Sequence, residues 1–271
     1  MTTVAMQQHR PRFVRLGIAA AAVAVLAGCA TVNIDDAVRS TNEATPGFTS
    51  GKLELSRTEE QRQARAKLSS ELLAKPLSMD DAVQLALANS PALQALIAQS
   101  WSDMAAASQF GRIANPIFSF ERMRLGEELE IGRLLSIGLM DLITLPQRQK
   151  IARSQIEQAK TQMAINIVDQ VSTVRQAWVR AVAAQQNLAY AGQVNRSAEA
   201  GAELARRMQQ VGNFSKLQRA RQQAFYADAA SQLASANHAA TAAREELVRQ
   251  LGLTPEQARE LKLPERLPDL P

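Results

Sequence analysis

Apolar residues change their period along this chain, and each change marks an element. From Leu77 the stretch LSMDDAVQLALANSPALQALIAQSWSDMAAASQFGRIANP opens on Ser78 as a helix cap, with Asp81 three residues on. It restarts at Ser90-Pro91, where proline suits a first helical turn. This predicts a helix over 78–114 with a joint in it. Between Asn115-Pro116 and Pro146 the period falls to two. After IFSFERMRL and a GEE turn, Leu129, Ile131, Leu135, Ile137 and Leu139 alternate with Glu130, Gly132, Ser136 and Gly138. Strands over 117–125 and 129–139 follow from that alternation. Beyond Pro146, Ile156, Ala159, Met163, Ile167, Val171, Val174 and Trp178 step by three and four, the mark of a long amphipathic helix, placed over 147–211. Gly212-Asn213 can supply the left-handed backbone that ends it. Ser215 can cap a return helix over 215–252, whose alanines permit close helix-helix approach. The fold class is therefore mainly α: a long antiparallel helical hairpin, coiled-coil-like, carrying a two-stranded β-hairpin.

Lengths sharpen the expectation. At the helical rise, 147–211 spans roughly 98 Å, 215–252 about 57 Å and 78–114 about 55 Å, so the long helix matches the two shorter ones laid end to end. Apolar and alanine stripes on so extended a chain need partner chains, and a monomer is not expected. Each strand has the length that a tilted strand needs to cross a membrane. A soluble surface hairpin fits the same pattern, since Arg133 interrupts the apolar face and two strands alone are barely stable.

The flanks read differently. A basic stretch, HRPRFVR, precedes an apolar run from Leu16 to Leu26 that is too short to span a bilayer, which makes 1–28 a signal peptide. Residues 29–76 are polar and mixed, a tether with one short helix around Arg57 to Leu73. The tail over 254–271, ending LKLPERLPDLP, holds Pro264, Pro268 and Pro271, and reads as a stiff spacer with nothing of its own to pack.

Composition removes several functions. The chain has 271 residues, 46% hydrophobic but only 4% aromatic, which favours helices over an aromatic-lined pocket. Of the net charge of +5, three units belong to Arg10, Arg12 and Arg15 in the signal segment, which holds no acid, so the remainder gives nucleic acid little to bind. No glycine-rich phosphate cradle, Ser-His-Asp set or cysteine-histidine cluster occurs. His238 is expected on a helix surface, and Trp101 and Trp178 are expected to be packing anchors. No catalytic residue, metal site or cofactor is expected, and neither is enzyme activity. Cys29 is the single cysteine, so no intrachain disulfide can form. It ends the string Leu26-Ala27-Gly28-Cys29, which resembles the bacterial lipobox; the resemblance implies cleavage before Cys29 and its acylation. Residue 30 is alanine and not the aspartate that retains such lipoproteins at the inner membrane, which implies the outer one. The other reading of Cys29 is a stray or buried thiol.

Taken together, LSMDDAVQLALANSPAL (77–93), the strand pair after Asn115-Pro116, QQVGNFSKLQRARQQ and ELVRQLGL (246–253) resemble, in order and spacing, one repeat of the TolC-type outer membrane efflux family. The resemblance covers 77–253. It implies chains of two repeats that assemble into a twelve-stranded transmembrane β-barrel above an α-helical tunnel, with the tail of this chain standing where a second repeat begins. It also implies that the tip, Val211, Gly212, Asn213, Phe214 and Ser215, docks a periplasmic adaptor (membrane fusion) protein working with an inner-membrane pump. The expected protein is a lipid-anchored outer-membrane component of a Gram-negative tripartite efflux system, a passive conduit for small molecules or metal ions. Three copies of one hairpin would give six strands, fewer than the eight of the smallest bacterial barrels, so a conducting form needs six copies or a partner chain that supplies the second repeat. Two other readings stand beside it: a periplasmic lipid-anchored structural lipoprotein without a pore, and a truncated product that conducts nothing.

Overall fold

Side-chain caps start four of the helices in the computed structural model, which describes residues 32–50, 52–113 and 115–269. In chain order the elements are α1 (Ile34–Ala44), α2 (Pro46–Thr49), α3 (Glu59–Leu73), α4 (Met79–Asn89), α5 (Pro91–Phe110), β1 (Ile117–Leu125), β2 (Glu128–Ser136), α6 (Leu139–Gln210), α7 (Lys216–Leu251) and α8 (Pro255–Glu260). Thr58, Ser215 and Thr254 each close a capping box with the glutamine three residues on, and Ser78 Oγ accepts the Asp81 N–H. The chain is mainly helical, with a long helical hairpin and one two-stranded antiparallel sheet. It forms two compact units, one of residues 34–100 with 160–271 and one holding residues 101–159.

In the larger unit α6 and α7 run antiparallel: Gln170 Nε2 donates to Gln250 Oε1 at 3.2 Å near one end, and Arg219 Nη1 donates to Gln209 Oε1 at 3.2 Å at the other. Two kinds of packing hold this hairpin. Met163, Ile167, Val171, Val174, Trp178 and Val182 are buried along α6, together with Leu247 and Leu251 of α7. Towards the turn the buried positions are alanines only, Ala191, Ala198, Ala202 and Ala205 on α6 and Ala229 and Ala236 on α7. Small side chains let the helices approach closely but bury little area each, so the turn-proximal half is held by many weak contacts.

At the foot of the hairpin three chain ends converge. α7 stops at Gly252, whose φ of +66° gives a left-handed cap. Asn89 Nδ2 at the end of α4 donates to Gly252 O at 2.8 Å and to Gln257 Oε1 at 3.1 Å. The buried Trp178 donates its indole N–H to Leu77 O at 2.8 Å, while Leu77 N–H donates to Lys262 O at 2.9 Å.

Four expectations need correction. The tether is folded: Ile34, Val38, Leu53, Leu72 and Leu73 are buried, and the extended segment between α2 and α3 has its backbone satisfied by side-chain amides. Asn42 brackets Leu53 at 3.0 and 3.1 Å, and Gln94 bonds Ser56 N–H and Glu54 O at 3.0 and 2.9 Å. The polar composition hid this because these amides replace a strand partner. Likewise the tail is no free spacer. It makes α8, buries Leu261, receives Arg244 Nη2 on the carbonyls of Ala258 and Leu261 at 2.9 Å each, and donates Leu267 N–H to Gln186 Oε1 at 3.2 Å. The joint expected at Ser90-Pro91 is present, with Ser90 extended at a ψ of 116° as proline demands of the residue before it, but the helix placed as far as 114 ends at Phe110.

The fourth correction lies in the smaller unit. β2 ends at Ser136 and not at 139, and α6 begins at Leu139, eight residues before the predicted start, with Pro146 inside it. Proline there forfeits the bond to Leu142 O, one bond among many in a long helix, and the first turn is braced by Arg148. Arg148 Nη1 donates to Asp141 Oδ1 at 2.9 Å and Nε to Phe110 O at 3.1 Å, with a further bond to Arg112 O, so one guanidinium ties the start of α6 to the end of α5. Gly111 leaves room for this approach: a Cβ there would sit 3.0 Å from Ala152 Cβ.

Candidate functional site

The turn at 211–215 is built from backbone bonds first. Asn213 and Phe214 N–H both donate to Met208 O, at 2.9 and 3.2 Å, and Gly212 N–H reaches Gln209 O at 3.2 Å. Gly212 takes a φ of +82°, and nothing lies within 4 Å of where its Cβ would stand. Ser215 then restarts the helix, its N–H bonded to Gln218 Oε1 at 2.7 Å and its Oγ accepting Gln218 N–H at 3.2 Å. Val211, Gly212, Asn213, Phe214 and Ser215 therefore lie together in one tight turn, as their spacing predicts. Val211 is 70% exposed and Leu217, just beyond, 61%.

Charge around this turn is one-sided. Arg206, Arg207, Lys216, Arg219 and Arg221 face a single carboxylate, Glu203, between residues 203 and 221. Glu203 accepts from Arg206 at 2.7 and 2.8 Å and from Arg207 at 2.8 Å, and these bonds hold its carboxyl down at about 2. The turn thus presents apolar side chains inside a rim of cations, a surface complementary to an acidic one.

The second candidate surface is the β-hairpin of the smaller unit. Its two strands pair from Ile117↔Ser136 to Leu125↔Glu128 around a two-residue turn in which Gly126 has a φ of +63°. Opposed residues share a face, so the register sorts the side chains. One face carries Phe118, Phe120, Leu129, Ile131 and Leu135 with Arg122, Arg124 and Arg133; the other carries Ile117, Met123 and Leu134 with Ser119, Glu121, Glu130, Gly132 and Ser136. Phe118 and Leu135 are 64% and 61% exposed and Ile131 still 45%, so no part of the described chain covers the apolar face. Sequence reading found Arg133 as an interruption but missed that all three arginines lie on the same side; counting parity outward from Gly126 would have shown it.

Other expected positions separate from these. Cys29 and the signal segment 1–28 lie outside the described residues. His238 is exposed on α7, Trp178 is buried and hydrogen-bonded, and Trp101 is about a third exposed on α5. Among the described residues no cluster of three or more His, Cys, Asp or Glu could hold a metal, and no helix is long and apolar enough to cross a membrane.

No protein-family model matches the chain, and no curated protein does. Among solved structures, a membrane protein from Pseudomonas aeruginosa is similar, with a TM-score of 0.54 and 18% identity, over 68% of this chain and 46% of that one. The chain thus spans about half the length of that structure, and at this identity the likeness concerns the fold.

Proposed function

We propose that the chain is the outer-membrane channel component of a tripartite efflux system of the TolC type, lipid-anchored through Cys29 and extending into the periplasm. The observation that carries this is the β-hairpin: two nine-residue strands, the length of a tilted membrane-crossing strand, whose large apolar side chains are left uncovered by the described chain. In this reading the hairpin is a share of a closed β-barrel, since an open strand edge in hydrocarbon would leave backbone groups unpaired. The α6/α7 hairpin lines the conduit, and its cation-rimmed turn receives a periplasmic adaptor with an acidic surface. Small molecules or metal ions pass without chemistry by the chain itself, driven by an inner-membrane pump. The fold likeness to a solved membrane protein, of which the matched part of this chain covers 46%, supports this reading of one repeat of two.

The test is planar-bilayer recording on the detergent-extracted protein. Discrete conductance steps that disappear when charge is placed on the apolar hairpin face, for example Phe118→Asp with Leu135→Asp, support the channel. Silence from a folded, membrane-extracted protein overturns it. A second reading, a lipid-anchored periplasmic hairpin without a pore, is favoured by one observation: residues 261–267 pack back on their own unit through Lys262 O and Leu267 N–H. That protein would stay soluble in water once its lipid is removed.

A further inference from the structure

We infer that the arginine-bearing face of the β-hairpin binds the phosphate groups of anionic membrane lipids. The register places Arg124 beside Leu129, Arg122 beside Ile131 and Arg133 beside Phe120, so three rungs in succession on one face each pair a guanidinium with a large apolar side chain. The rung nearest the strand ends, Phe118 with Leu135, is wholly apolar. Glu121 and Glu130 lie on the opposite face. Among the described residues no carboxylate pairs with Arg122, Arg124 or Arg133, whereas Arg148 in the same unit is bonded to Asp141 and two carbonyls. The three arginines are therefore available to a ligand from outside the chain.

What that ligand must offer follows from the interleaving. An acidic protein surface would satisfy the guanidinium groups but leave Phe120, Leu129 and Ile131 against polar atoms. A neutral lipid would cover the apolar groups and leave the cations unpaired. Only an anionic amphiphile presents hydrocarbon and phosphate side by side, and a guanidinium binds phosphate through two parallel hydrogen bonds. The arginine stem is long enough to lie along apolar surface while its head reaches the interface, which makes a cation on a lipid-facing strand tolerable away from the bilayer centre. The ladder runs towards the Gly126 turn, so that end of the hairpin is the one placed at the headgroups. This inference takes from the proposed function the hairpin's place in a membrane, but it does not depend on a pore.

The test is amide hydrogen exchange of residues 117–136 in the full-length protein, reconstituted into vesicles of phosphatidylcholine and of phosphatidylcholine mixed with phosphatidylglycerol, at low ionic strength. A cation near an anionic surface gains roughly fivefold in binding, so three give on the order of a hundredfold slower exchange on the mixed vesicles. The Arg122→Gln, Arg124→Gln, Arg133→Gln variant should lose most of that difference. Lysine at the same positions should keep part of it, and Glu121→Gln with Glu130→Gln should keep all of it. Competition by inorganic phosphate at equal ionic strength, with no dependence on vesicle composition, would assign the arginines to a soluble anion and overturn the lipid assignment. Equal protection on both vesicles would overturn it while leaving the channel reading intact. Composition-dependent protection in a protein without conductance would uphold it and remove the pore.

Discussion

Two glycines with the same backbone sign have opposite structural weight. At Gly252 a Cβ would stand 2.6 Å from Pro91 Cδ and 2.8 Å from Ser90 Cα, so Gly252→Ala adds a clash with backbone to the strain of a φ of +66°. At Gly212 only the strain applies, because nothing stands within 4 Å. Thermal or urea unfolding should show a loss of about 2–4 kcal/mol for Gly252→Ala and about 1 kcal/mol for Gly212→Ala. Equal losses would mean that the junction of α4 and α7 is looser than its geometry. Glu203 carries the pH-dependent contact at the turn. Its arginine partners depress the folded carboxyl to about 2 from an unfolded 4.5, so the contact is fully present above the unfolded value and is lost as pH falls through about 2. A carboxyl-resolved NMR titration should place its midpoint near the lower value, and Arg206→Ala should raise it; a midpoint unmoved by that change would mean the bonds do not form in solution. At this scale the sequence was legible wherever a residue acts on its neighbours: Ser78, Ser215 and Gly212 declare their roles within a few positions. Trp178 was legible only as an anchor, because its acceptor Leu77 lies 101 residues away.

Elements were legible in type and less so in extent. The period-two segment is a hairpin and the period-three-and-four segment a long helix, but Pro146 was read as a boundary when it lies inside α6. One proline breaks a helix only where nothing else spans the gap, and here Asp141 and Arg148 do, at 2.9 Å. The helix expected around Arg57 to Leu73 is α3, but the rest of the tether and the tail were misjudged for one reason: α1 and α8 are short, and their burial depends on surfaces supplied from far along the chain. The alanine seam between α6 and α7 was visible, and its consequence can be measured. Ala198 is 2% exposed, so Ala198→Leu overfills a close helix contact and should cost about 1–3 kcal/mol. Faster amide exchange should be confined to the turn-proximal half of the hairpin. Exchange that accelerates equally around Met163 and Ile167 would show that the two halves unfold together.

For the whole molecule the question is how the exposed apolar hairpin face is satisfied, a matter no single chain decides. The described residues present two strands, and a barrel in lipid must close with at least eight, so the account requires several chains around one barrel. The candidate turn was legible because caps are local; how the two strands are completed was not legible in the pattern of residues, because closure belongs to an assembly. Counting chains tests this most directly. Native mass measurement of the detergent-extracted complex should find an assembly with enough hairpins to close, six copies for twelve strands or this chain with a partner chain that supplies the rest. Particles holding one folded chain each, with the hairpin in place and nothing bound to it but detergent, would contradict the account.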